Sequence, residues 1–363
     1  MRNLASLCLA GFITLLPFHV SAEGVEAPAK AIVKDAIDCR PSHKRLDEEG
    51  FVSIGGIEQW VTVKGNDCAN PVILMVHGGP GNPTTLYADA PYHAWENEFT
   101  LVQWDQRGAG KTYGRNPVDP ETPETVLTIE RMAADGTELT AYMVRHLKTK
   151  KIILFGGSWG TVLAVHMAKT RSDLFVAYVG TGQMVSHKEN DVASYRKLIE
   201  LARAAGDAKT LQTIEALGEP PWTDPRALGI LRRATRTYEA KASTPTPQSW
   251  WQPSPQYSTE KMQADYDNGE EYSWLQFVGL KGNGMLATLD LPKLGLDFKI
   301  PVFMVQGTED LVTVPEVAKR YFDAIRAPIK EYFLLPRTGH DPNPVMIEAQ
   351  FNILKTRVVP LVN

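Results

Sequence analysis

Pro71–Val76 (PVILMV) and Lys151–Phe155 (KIILF) are continuous apolar runs, too short for helices and without any alternation. Strands of this kind bury both faces, as they do in a parallel sheet covered by helices on either side. The second run enters Gly156-Gly157-Ser158-Trp159-Gly160 and then an apolar stretch of helical character reaching about Lys169. A further strand is expected at Phe175–Val179. From Gln183 the alternation stops, and the chain becomes helical and aromatic, with Trp222, Trp250, Trp251, Tyr257, Tyr266, Tyr272, Trp274 and Phe277. Strand-like runs resume at Pro301–Val305 and Glu331–Leu335, with a helix between them and a last helix over Pro344–Lys355. Alternation broken once predicts an α/β chain with a mostly parallel central sheet flanked by helices. Its helical cap is inserted between the strand after the Ser158 helix and the strand at Pro301. The expected division is 23–182 with 296–363 for the core and 183–295 for the cap.

Upstream, Phe51–Val63 carries two alternating runs split by Gly55-Gly56, the pattern of a hairpin, after a polar lead-in over residues 23–48. Residues 1–22 differ from the rest. Arg2 precedes an apolar stretch from Leu4 to Val20, and Val20-Ser21-Ala22 places small residues before Glu23. This is the pattern of a cleavable secretory signal, so a periplasmic or secreted protein is expected, with no membrane span once the signal is removed. An N-terminal anchor helix is the alternative, against which Pro17 and the shortness of the stretch argue. Signal cleavage removes Cys8 and leaves Cys39 and Cys68. An oxidising compartment favours one disulfide between them, and two buried free thiols are the other reading. Two cysteines are too few for a zinc site, so neither a metal nor any other cofactor is expected. The net charge of −4, without a long run of one sign, excludes a nucleic-acid surface.

The chemistry is carried by four segments. G-x-S-x-G between a strand and a helix forces Ser158 into a sharp turn that lifts its hydroxyl clear of the sheet. His77-Gly78-Gly79-Pro80-Gly81, at the end of the Pro71 strand, has the composition of a loop that lends a main-chain N–H to a developing oxyanion. Gly79 and Trp159 are the expected donors; Gly78, Pro80 and Gly81 shape the loop, and His77 orients it. Asp310 follows the Pro301 strand and His340 follows the Glu331 strand, so both reach the same edge of the sheet as Ser158. The order Ser, Asp, His makes His340 the base and Asp310 the residue that fixes its tautomer. Glu309 is the competing acid. These residues predict acyl transfer on a small molecule or short peptide.

The motifs HGGPG at 77–81, Asp105-Gln106-Arg107-Gly108 and Gly156-Gly157-Ser158-Trp159-Gly160 resemble those of the proline iminopeptidase branch of the α/β-hydrolases, in the same order. The resemblance spans about 50–180 and 300–345. It implies the α/β-hydrolase fold and an aminopeptidase, often one favouring N-terminal proline, with Ser158, Asp310 and His340 as its triad. It also implies that Asp105 and Arg107 tie loops together beneath the site. Aminopeptidases of this branch hold the substrate ammonium with cap carboxylates, for which Glu189, Asp265, Asp267, Glu270 and Glu271 are the candidates. Gln252, after Trp250-Trp251, is neutral. An esterase, lactonase or amidase with the same triad, and a silent binding protein on the same fold, are the competing readings.

Overall fold

The computed structural model describes residues 44–118 and 127–362; the expected signal at 1–22 and Cys39 lie outside them. The chain begins with the hairpin, β1 (Leu46–Ile54) and β2 (Ile57–Gly65), closed by Gly55 and Gly56, both at positive φ (58° and 81°). A two-residue turn of that hand suits the twist of the strands it joins, and glycine adopts it without a Cβ penalty. β1 starts earlier than the alternation indicates and takes in Leu46–Glu48 from the polar lead-in. Antiparallel pairing satisfies this backbone, and Glu48 meets His146 at 2.8 Å.

Next come β3 (Val72–Val76), β4 (Thr100–Trp104), the short α1 (Gly110–Arg115) and α2 (Ile129–His146). They are followed by β5 (Ile152–Gly157), α3 (Trp159–Thr170) and β6 (Phe175–Thr181). Five α-helices separate β6 from the next strand: α4 (His187–Ala204), α5 (Ala208–Glu215), α6 (Pro225–Ala242), α7 (Glu260–Val278) and α8 (Met285–Thr288). The chain closes with β7 (Val302–Gly307), α9 (Pro315–Ala324), β8 (Lys330–Leu335) and α10 (Pro344–Ile353). The eight strands form one sheet in the order β1-β2-β4-β3-β5-β6-β7-β8, antiparallel through β1, β2 and β4 and parallel from β4 onward.

The unbroken apolar runs are explained by what covers them. Leu74, Ile152 and Leu154 face one layer with Met132, Leu139, Met143 and Val162 of α2 and α3. Ile73, Met75, Ile153 and Phe155 face the opposite layer with Ile347 and Ile353 of α10. Each fully buried side chain of this size contributes about 1.5–3 kcal/mol, so both faces of the central strands hold the sheet. β8, at the edge, is only half-buried.

Beneath the loops, Arg107 reaches Asp135 of α2 at 2.8 Å and donates to the Gly55 carbonyl at 2.7 Å, fastening the hairpin turn to the helix. Asp105 accepts from Thr85 Oγ1 at 2.5 Å and from the Lys111 N–H at 2.9 Å. The helices between β6 and β7 are tied down in the same way. Ser273 Oγ donates to the Gly108 carbonyl at 2.7 Å, and Ser194 Oγ donates to that of Leu311 at 2.5 Å. Among the described residues no helix is long and apolar enough to cross a membrane.

Cys68 is disulfide-bonded, and its expected partner is Cys39. Closing a loop of about 30 residues restricts the unfolded chain by roughly 3–4 kcal/mol in the entropic account. Titration of a denatured, unreduced chain starting at residue 23 is expected to find no free thiol. Reduction should lower the Tm while leaving kcat at moderate temperature nearly unchanged. Two titratable thiols would exclude the pairing.

Candidate active site

β5 ends at Gly157 and α3 begins at Trp159, so Ser158 alone makes the turn, at φ 51° and ψ −121°. That backbone is unfavourable for an L-residue and persists only where the surroundings impose it. A Cβ on Gly160 would overlap the Val76 carbonyl oxygen, and one on Gly156 would stand 2.8 Å from that of Gly160. The two motif glycines thus let α3 cross the ends of β3 and β5 at main-chain contact. The Ser158 N–H donates to the Thr181 carbonyl at 2.9 Å, and Thr161 Oγ1 donates to the Ser158 carbonyl at 2.6 Å, bracing the turn on both sides.

His340 Nε2 lies 2.8 Å from Ser158 Oγ, and its Nδ1 lies 3.1 and 3.0 Å from the two Asp310 oxygens. The Asp310 carboxylate is buried and well supplied with donors. Oδ1 accepts from the N–H groups of Val312 and Thr313 at 2.9 and 2.7 Å, and Oδ2 accepts from Gln306 Nε2 and Thr313 Oγ1 at 2.8 and 2.7 Å. Burial alone would raise its pKa, but the His340 charge and the hydrogen bonds from His340 and Thr313 outweigh burial and hold it below the ordinary value. His340 moves oppositely: burial lowers it, and the charge and hydrogen bond of Asp310, with Glu239 and Asp341, bring it above the usual histidine value. Glu309 accepts from Thr308 Oγ1 at 3.0 Å; Asp310 alone of the two meets the imidazole.

The loop at 77–81 lies against the serine. A Cβ on Gly78 would stand 3.2 Å from Ser158 Cβ. Gly79 and Gly81 have φ of 110° and 93°, which only glycine adopts readily. Gly81 abuts Glu270 and Ser273 of α7, and Pro80 is buried beside it. Neither the Gly79 N–H nor the Trp159 N–H has a main-chain acceptor among the described residues. An N–H at a helix start and one in a glycine loop are suited to an anionic oxygen. Both ring nitrogens of His77 are engaged by the main chain, neither by Ser158. The Gln106 N–H donates to its Nε2 at 3.1 Å, so Nδ1 carries the proton and donates to the Gly78 carbonyl at 2.8 Å. Burial pulls its pKa down to about 4, which keeps the ring neutral.

Ser158 and His340 open into a cavity of about 760 Å³ beneath the helices that follow β6. Trp251, Trp274 and Phe277 give it aromatic walls; Tyr257, Tyr266 and Tyr272 are packed into the core instead. Of the five carboxylates singled out from the sequence, Asp267, Glu270 and Glu271 line the cavity. Glu189 pairs with Arg320 at 2.9 Å and Asp265 with Lys261 at 2.5 Å, both away from it.

Glu239 of α6 escapes sequence reasoning. It is buried, lines the cavity, and accepts from the Leu311 N–H at 2.6 Å and the His340 N–H at 3.1 Å. It therefore clasps the loops that carry the acid and the imidazole. Burial and the Asp310 charge push its pKa up to about 7, against His340 and the two N–H donors. The available signal is its place at the end of one helical stripe, Gly229, Arg232, Arg236 and Glu239, whose members are all polar or small.

The family model for serine aminopeptidase, S33, matches residues 67–343. A Bacillus subtilis (strain 168) protein named "Probable aminopeptidase YbaC" is 27% identical over 309 residues, covering 84% of this chain and 93% of that one. A Leptolyngbya boryana protein named "Probable proline iminopeptidase" is 23% identical over 299 residues, covering 78% and 84%. The crystal structure of a Mycobacterium smegmatis proline iminopeptidase shares the fold with a TM-score of 0.60 at 19% identity, covering 86% of this chain and 95% of that chain.

Asp310→Asn is expected to cost about 10⁴-fold in kcat by stabilising the wrong imidazole tautomer. Glu309→Gln should stay near the native rate; a silent Asp310→Asn beside a crippled Glu309→Gln would reverse the assignment. His340 accepts a proton only when neutral, so kcat/KM should fall on the acid side with an apparent pKa above the usual 6.5. Glu239→Gln removes a negative charge that raises His340 and should move this limb to lower pH. A pH–rate profile that is unmoved would contradict that coupling.

Proposed function

The chain belongs to the serine aminopeptidase S33 family of the α/β-hydrolases, and from that membership we propose that it is an exported serine aminopeptidase of proline iminopeptidase type. Ser158 attacks the first peptide carbonyl while His340 takes its proton, and Asp310 holds the imidazole tautomer and stabilises its charged form. The Gly79 and Trp159 N–H groups hold the oxyanion. His340 returns the proton to the leaving nitrogen, and a water activated by the same imidazole releases the acyl group. The export part rests on the signal pattern of residues 1–22.

The observation that carries the aminopeptidase reading is the acidic wall of α7. Asp267, Glu270 and Glu271 line the cavity that holds Ser158, and Glu270 abuts the oxyanion loop at Gly81. A carboxylate there pairs with a substrate ammonium through charge-assisted hydrogen bonds and positions the first peptide bond at the nucleophile. Trp251, Trp274 and Phe277 offer apolar faces that suit a ring such as proline.

Acetylating the amine of an aminoacyl arylamide should remove most of the turnover, because the acidic wall loses its partner. Ser158→Ala should abolish turnover of the free substrate with the fold intact. Equal rates on blocked and free substrates would reject the exopeptidase and indicate an esterase or amidase.

A further inference from the structure

The cavity has a second charged wall. Gly229, Arg232, Arg233, Arg236 and Glu239 of α6 all line it, and their spacing places them on one helix face. Other arginines of the same helical region have partners: Arg196, Arg203 and Arg226 meet carboxylates at 2.5, 2.6 and 2.7 Å. The three that face the cavity have no ion pair among the described residues, and the buried Nη1 of Arg232 has no hydrogen-bond partner there. Arg232 sits in the field of Asp191, Asp310 and Glu239, and burial, the larger effect, lowers its pKa. Asp310 and Glu239 are already engaged with the His340 ring and with main-chain N–H groups. Arg233 and Arg236 are exposed to the cavity.

The two walls join the site at different loops. The acidic wall of α7 adjoins the oxyanion loop at Gly81, whereas α6 reaches the His340 main chain through Glu239 at 3.1 Å. His340 gives its proton to the leaving nitrogen, so the leaving part of a substrate lies on the His340 side. At 1.5 Å of rise per residue, Arg236 and Arg232 lie about 4.5 and 10 Å along the axis from Glu239. A peptide advances at most about 3.5 Å per residue, so this stretch spans one to three residues beyond the scissile bond.

Resting on the aminopeptidase reading above, we propose that Arg233 and Arg236, with the partly buried Arg232, form a subsite for a carboxylate on the leaving part of the substrate. The substrate class is then the short free-acid peptide, a zwitterion held at its ammonium by α7 and at its carboxylate by α6. Guanidinium groups suit this because their planar donors match a carboxylate in paired fashion.

The test measures binding by calorimetry to the Ser158→Ala chain, which does not turn over, using alanyl-alanine and alanyl-alaninamide. The free acid is expected to bind roughly 10-fold or more tightly than the amide, the range for a charged hydrogen-bonded contact with allowance for solvent screening. In the same chain carrying Arg233→Gln and Arg236→Gln, both exposed positions, the preference should collapse. Alanyl-glutamic acid α-amide, whose only carboxylate is the side chain's, separates the sources: recovered affinity means that a side-chain carboxylate also satisfies the arginines, and unrecovered affinity assigns the subsite to the chain terminus. Equal binding of acid and amide, or binding of neither, overturns the proposal. So does a preference that survives both the double substitution and Arg232→Gln. If the preference holds but the native enzyme releases no alanine from alanyl-alanine, the carboxylate subsite stands and the aminopeptidase reading falls.

Discussion

The passage from β5 into α3 leaves room for one residue, and the rest of the site depends on that crowding. Ser158 stands in an unfavourable backbone conformation because Gly156 and Gly160 bring α3 into main-chain contact with the ends of β3 and β5. The sheet supplies the force that holds the turn closed, since both faces of the central strands are buried in well-packed layers. Relaxing the turn would pull α3 off β3. The serine is thereby presented at a helix N-terminus, beside the loop that follows β3 and opposite the loops that follow β7 and β8.

Two buried carboxylates near one imidazole are driven in opposite directions. Asp310 collects donors from Val312, Thr313 and Gln306 and touches the His340 ring, so its charged form is favoured. Glu239 has two main-chain donors and faces the Asp310 charge, so its charged form is disfavoured. Separation of this kind lets one acid serve as a fixed anion while another stays near its titration point. Because Glu239 belongs to α6, the helices that cover the cavity also help to hold the loops that carry Asp310 and His340.

Those covering helices govern what the site acts on. Sheet and triad geometry recur across many hydrolases, so fold alone leaves the substrate open. In this chain the discriminating features are an acidic face on α7, an arginine face on α6 and aromatic walls at Trp251, Trp274 and Phe277. Under the subsite proposal, the acidic face on α7 and the arginine face on α6 set the direction in which a zwitterionic ligand enters.

Local pattern was enough for the sheet and its loops. Unbroken apolar runs marked β3 and β5, glycines marked the hairpin turn and the β5–α3 crossing, and strand ends located Ser158, Asp310 and His340, because each signal lies within a few residues of the structure it produces. β1 escaped at its start, where main-chain pairing carries a polar segment. Asp310 was preferred to Glu309 on chain order, and the path of the chain after β7 turns Asp310 alone of these adjacent carboxylates to the imidazole. Glu239, the sorting of the cap carboxylates and the arginine face on α6 depended on packing between segments that lie about 70 to 100 residues apart in the case of Glu239. Contacts of that span leave no period in the sequence, so it could bring forward Ser158, Asp310 and His340 as candidates, and only the tertiary structure decided which charges surround them.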